Sequence, residues 1–101
     1  MNIREKFGLK VKILREEKGF SIEQLANISN VDRNYISDIE KGQRNVSITI
    51  IEKILQGLDT DFPTFFNDER FIVNGEDNTI LEKYVSVSKA HSNKKKQKDD
   101  I

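Results

Sequence analysis

The strongest constraint in this sequence is a series of stops and starts. Gly19 precedes Ser21, Asn30 precedes Asp32, and Gly42 precedes Ser47. In each pair the first residue tolerates the left-handed backbone that ends a helix. The second carries a side-chain oxygen that can cap the next one. Ser21 also has Gln24 three places on, which makes a capping box. Between these marks, apolar residues recur at helical spacing. Phe7, Val11 and Leu14 mark a first helix from Ile3 to Lys18, and Leu25 belongs to a second from Ser21 to Ile28. Ile36 and Ile39 face inward from a third, Arg33 to Glu40. Ile48, Ile51, Ile54, Leu55 and Leu58 form one broad face of a fourth, Ile48 to Leu58. Thr60-Asp61-Phe62-Pro63 opens a short fifth helix holding Phe65 and Phe66. No run alternates apolar and polar residues for long, so strands are not expected. Helices this short are marginal alone in water. They must bury their faces on one another, which predicts an all-α domain of five helices.

After Asn67 the pattern changes. Phe71-Ile72-Val73 is a short apolar run ending at the turn dipeptide Asn74-Gly75. Asp77 or Asn78 caps a further expected helix carrying Ile80, Leu81, Tyr84 and Val85, and from His91 the charged and polar composition reads as a disordered tail. The expected division is residues 1–67 for the main domain, 68–90 for a C-terminal extension and 91–101 for the tail. Residues 68–90 either enlarge a dimer interface or pack on their own monomer.

Composition narrows the function classes. At 101 residues and 36% hydrophobic, the chain has apolar matter for one small core. It has no cysteine, so disulfides and thiolate metal sites are out, and a cytoplasmic location fits. The one histidine, His91, cannot build a zinc site alone. No Ser/His/Asp set, paired-carboxylate motif or glycine-rich phosphate loop is present, so neither catalysis nor a cofactor is expected. No apolar run suggests a secretory leader or a membrane span. Net charge is zero but unevenly spread. Residues 1–57 carry ten Lys/Arg against eight Asp/Glu, and residues 58–93 carry three against seven. A mildly basic front can present a positive face to nucleic acid.

The second and third helices are joined by a very tight turn. Ala26 is small where the two helices pass closest, Asn30 sits where the backbone turns sharply, and Val31 fills the space beneath. Such a pair props the third helix with one face free for a groove. The stretch Ser21 to Gly42, Ser-Ile-Glu-Gln-Leu-Ala-Asn-Ile-Ser-Asn-Val-Asp-Arg-Asn-Tyr-Ile-Ser-Asp-Ile-Glu-Lys-Gly, resembles the helix-turn-helix of the phage-repressor, or XRE-type, family. The resemblance covers residues 7–66. Within the family, Asp32 to Ser37 followed by Ile39 to Ser47 is similar to the controller proteins of restriction–modification systems. It implies a dimeric transcriptional regulator of operator DNA, acting on its own operon's promoter. A phage-type or chromosomal repressor, and an antitoxin-like module whose residues 70–90 bind a protein, are the alternatives.

The resemblance assigns roles residue by residue. Arg33, Asn34, Ser37 and Asp38 would project into the major groove. The chemistry of the first two agrees, since Arg suits the O6/N7 edge of guanine and Asn the N6/N7 edge of adenine. Asp38 would need a cytosine amino group or a neighbouring arginine. Tyr35 would touch a thymine methyl or a phosphate, and Arg44 and Asn45 would contact base or backbone from the following loop. Ser21, Gln24, Ser47 and N–H groups at helix starts would bind phosphates. Where the family has a phosphate-binding Gln after the second helix's N-cap, this chain has Ile22. Arg15 and Glu40 stand where the family has an ion pair joining the first helix to the third. The region of the fourth and fifth helices, with Phe65 or Phe66 and Ile50 or Phe62, would form the dimer contact. The Lys94-Lys95-Lys96 run reads as a solvated tail.

Overall fold

Each α-helix among the described residues begins on a side-chain cap that satisfies part of its otherwise orphaned N–H groups. In the computed structural model, which describes residues 1–72, Asn2 and Glu5 exchange reciprocal bonds of 2.9 Å at the start of α1 (Ile3–Glu17). Ser21 and Gln24 do the same at 3.0 and 2.8 Å for α2 (Ile22–Ser29). Asp32 caps α3 (Arg33–Glu40), Ser47 caps α4 (Ile48–Gly57) and Asp61 caps α5 (Phe62–Phe66). A 3-10 turn follows at Glu69–Phe71. Met1–Phe71 form one compact unit. The expected helix near Ile80, the charged tail and His91 lie outside the described residues.

The stops behave as the sequence predicts. Gly19 has φ +73° and Gly42 φ +75°. Asn30 closes α2 at φ 56°, ψ 45°, and the Val31 N–H then reaches back to the Ala26 carbonyl at 3.0 Å. Asp59 also lies in the left-handed region, at φ 56°, where it ends α4.

The five helices pool their apolar faces into one core. Phe7 and Val11 come from α1, Leu25 and Ala26 from α2, Ile36 and Ile39 from α3. Ile54 and Leu55 come from α4, with Leu58 at its end and Phe65 from α5. Ile51 and Val31 are half-buried against this core, as is Ile22. Ile48 differs from expectation: it is 72% exposed. It lies two turns before Leu55 and so has the right angular position. Its place in the first turn of α4, however, leaves it with no element over it among the described residues.

Two glycines permit close helix approach. A Cβ on Gly8 would run into the Ile39 carbonyl of α3, and one on Gly57 would meet the Ser29 hydroxyl of α2. Helix α1 is further tied to the 3-10 turn. The Lys10 ammonium lies 2.8 Å from Asp68 and over the Phe65 ring at 5.4 Å from its centre. That ammonium and the Arg70 N–H hold the Asp68 carboxyl below its ordinary pKa range.

Candidate nucleic-acid interface

The placement of α3 follows from its own pattern. Ile36 and Ile39 are buried and turn the helix's apolar side to the core. Helix α2 packs against it through Leu25 and Ala26, the short turn at Asn30 fixing the angle. The opposite side carries two adjacent rows at i, i+4 spacing: Arg33 with Ser37, and Asn34 with Asp38. Arg33 and Asn34 are exposed, while Ser37 and Asp38 are half-buried. This gives one polar helix face whose first turn stands open.

One buried arginine holds that helix in place. Arg15 Nε and Nη2 donate to the two carboxylate oxygens of Glu40 at 2.7 and 3.0 Å. Its Nη1 donates to the Phe20 carbonyl at 2.7 Å. The hydrogen bonds to Glu40 raise the pKa of Arg15 against the opposing effect of burial. One guanidinium therefore joins α1, the end of α3 and the loop entering α2, in the structural role expected of the pair.

Beyond α3 the chain reverses at Gly42, where a Cβ would fall 2.7 Å from the Glu5 side chain. The Gln43 N–H then donates to the Asp38 carbonyl at 3.0 Å. The reversal brings Arg44 back over the helix. Its Nε and Nη2 each lie 3.3 Å from Asp38 Oδ2, and its guanidinium carbon is 4.9 Å from the centre of the Tyr35 ring. Asp38 thus has the neighbouring arginine that its position calls for. Spacing alone gave no sign of this cluster, because a separation of six residues is not a helical contact. Only the reversal at Gly42 makes it one. Asn45 is exposed beside Arg44.

The helix starts are not equivalent as anion sites. At α3, Asp32 Oδ1 already accepts from the N–H groups of Asn34 at 2.8 Å and Tyr35 at 3.3 Å. A carboxylate there occupies these two donors and disfavours a phosphate beside them. At α2 the oxygens of Ser21 and Gln24 are used on each other's backbone, but the hydroxyl proton and the Gln24 amide protons stay free to donate. The first-turn N–H groups of Ile22 and Glu23, and of Ile48 and Thr49, have no intrahelical partner. Ser47 Oγ accepts from the Ile50 N–H at 3.2 Å, leaving its own proton available. All three side chains are exposed.

Among the described residues no group of His, Cys, Asp and Glu could hold a metal ion, and no helix is long and apolar enough to cross a membrane. A shallow apolar hollow is lined by Ile3, Phe7, Val46, Ile51 and Phe66, with Arg4, Arg44 and Asn45 at its edge.

Comparison with known proteins agrees with this architecture. Residues 11–65 match the helix-turn-helix family. The control protein C.BamHI of Bacillus amyloliquefaciens is 46% identical over 76 aligned positions, covering 68% of this chain and 94% of that protein. The control protein C.MunI of a Mycoplasma species is 44% identical over 68 positions, covering 66% and 92%. Among solved structures, the restriction–modification controller protein C.Esp1396I, a tetramer in complex with its natural 35 base-pair operator, superimposes with a TM-score of 0.62. It is 41% identical, over 65% of this chain and 87% of that one. The chain belongs to the XRE-type helix-turn-helix family and is similar, within it, to restriction–modification controller proteins.

Proposed function

We propose that this protein is a sequence-specific regulator of transcription that controls a restriction–modification operon by binding operator DNA as a dimer. The observation that carries the reading is the open polar face of α3, with Arg33 and Asn34 exposed on a helix whose other side is locked into the core. In this reading Arg33, Asn34, Ser37 and Asp38 meet base edges in the major groove. Arg44 and Asn45 approach from the loop, beside Tyr35. Ser21, Gln24 and Ser47, with the free N–H groups of α2 and α4, hold phosphates. The assembly of C.Esp1396I on its operator supports duplex DNA as the ligand and self-association as the binding form. The partly buried apolar side chains Ile50 on α4 and Phe62 and Phe66 on α5 offer a surface for a two-fold contact. Such a dimer would read two half-sites about one helical turn apart.

The test is a footprint on the DNA upstream of the protein's own gene. The parent should protect a split palindrome, and Arg33→Ala should lose that protection while its circular dichroism stays helical. Affinity should fall steeply with salt, because each phosphate contact releases counterions. Equal protection by Arg33→Ala, Asn34→Ala and the parent would sink the assignment of α3 as the reading helix. A restriction endonuclease and methyltransferase encoded beside the gene separates a controller from an ordinary repressor.

A further inference from the structure

Within the site proposed for DNA, one contact runs against the ligand. Asp38 places a carboxylate on the very face that must approach a polyanion. Its side chain is 32% exposed, and Arg44, its partner, is 49% exposed. An isolated surface pair of this kind contributes little to stability, about 0–1 kcal/mol. Fold stability therefore gives Asp38 no strong reason to be there. Its geometry instead relates it to Arg44. Arg44 Nε donates to Asp38 Oδ2, and Nη2 lies 3.3 Å from the same oxygen. The same guanidinium lies over the Tyr35 ring. A carboxylate beside the guanidinium and a ring under it bias the direction in which it points. Three of its five N–H donors remain to meet a ligand.

We propose that Asp38 is a positioning residue that acts on DNA selection through Arg44, as an internal counterion that is kept on the wrong duplex and outweighed on the right one. The proposal rests on the DNA-binding reading above. Free in solution, Arg44 has its charge matched by Asp38. A loosely held, non-cognate duplex offers only phosphates, and for these Arg44 must give up Asp38 while the carboxylate repels the same strand. The gain from counterion release is then largely cancelled. On the cognate site the other α3 contacts fix the register. Asp38 Oδ1, which accepts no hydrogen bond among the described residues, can then take one from an exocyclic base amine, while the directed donors of Arg44 meet an acceptor beside it. The pair lowers non-cognate affinity more than cognate affinity, and so widens the ratio between them.

The experiment begins with the full chain and a pool of randomised duplexes, from which one tight binder is selected. A shuffled duplex of equal length is the reference. For Asp38→Asn, binding to the shuffled duplex should tighten roughly three- to tenfold, with a salt slope steeper by about one. Affinity for the selected duplex should change less, so the ratio narrows. Asp38→Glu should keep the parent's ratio. In an Arg44→Gln background, the effect of Asp38→Asn on the shuffled duplex should shrink to about twofold or less, because no guanidinium is left to release. Circular dichroism checks the fold, and Asp38→Ser serves if the amide variant does not fold. An unchanged shuffled-duplex affinity overturns the proposal. So does an equal gain with and without Arg44, which would make Asp38 a plain repeller of phosphates. If Asp38→Asn loses the selected duplex as fully as Arg44→Ala, Asp38 is a direct base contact and the counterion role is wrong. If the parent enriches no duplex at all, the DNA-binding reading fails first and takes the proposal with it.

Discussion

Arg15 and Arg33 are both arginines within one small domain, and their surroundings set them opposite tasks. The side chains of Arg15 and Glu40 are 10% and 6% exposed, so neither can be rehydrated in place if the other is removed. Arg15→Ala or Glu40→Ala should destabilise the fold by about 3–5 kcal/mol, read as a lowered denaturant midpoint. Arg33 is exposed in the first turn of α3, where a cation opposes the helix dipole and is better placed for a ligand than for the helix. Arg33→Ala should leave the denaturant midpoint within about 0.5 kcal/mol. It should weaken operator binding by about 1–3 kcal/mol, or roughly five- to 150-fold. If both variants lost stability equally, Arg33 would be a structural residue and the proposed division of labour would be wrong.

At the scale of the helix, glycine shows how much of the fold can be read from residue types. Gly8 and Gly19 look alike in the sequence, but their constraints differ. At Gly8 the backbone is helical, where alanine would ordinarily be favoured by about 1 kcal/mol. The Ile39 carbonyl, a rigid backbone group, fills the place of the added methyl. Gly8→Ala should therefore destabilise by about 1–3 kcal/mol or more as α1 and α3 are forced apart. Gly19→Ala meets no atom and bears only the left-handed backbone, about 1–2 kcal/mol. Thermal melts of the two variants would order them. Sequence made the caps at Ser21, Asp32 and Ser47 legible, along with the stops at Gly19 and Asn30, because these are local chemistry. It also made the buried side of α3 legible, because periodicity reports it. It did not show the close packing at Gly8, the Lys10–Asp68 tie across 58 residues, or the exposure of Ile48. Each of these depends on where one element ends relative to another, which no period encodes. The Asn2–Glu5 box carries the same local signature as Ser21–Gln24 and is legible on the same ground. In the proposed site, Arg33 and Asn34 were legible as exposed groups. The Asp38–Arg44–Tyr35 cluster was not, since it exists only once the loop has reversed.

For the whole molecule, acid stability and assembly are the measurable quantities. Asp68 titrates below the ordinary carboxylate value because Lys10 and the Arg70 N–H favour its charged form. A group lowered in the folded state stabilises the fold above its unfolded pKa of about 3.9. That contribution fades as pH falls from there through the lowered folded value. Asp68→Asn should thus unfold more easily than the parent near neutral pH, and the gap should close on that acid descent. A gap that persisted unchanged in strong acid would show that Lys10 does not act through the charge of Asp68. Sedimentation at micromolar concentration should show a dimer, and a strict monomer there would remove the two-fold half-site argument. The clamp made by Arg15 has a last implication for how recognition is shared. Because α3 is fastened to α1 and to the loop ahead of α2, it has little freedom to swing towards a badly spaced groove. The duplex becomes the compliant party. Operators with easily kinked pyrimidine–purine steps should be favoured even at base pairs that no side chain reaches.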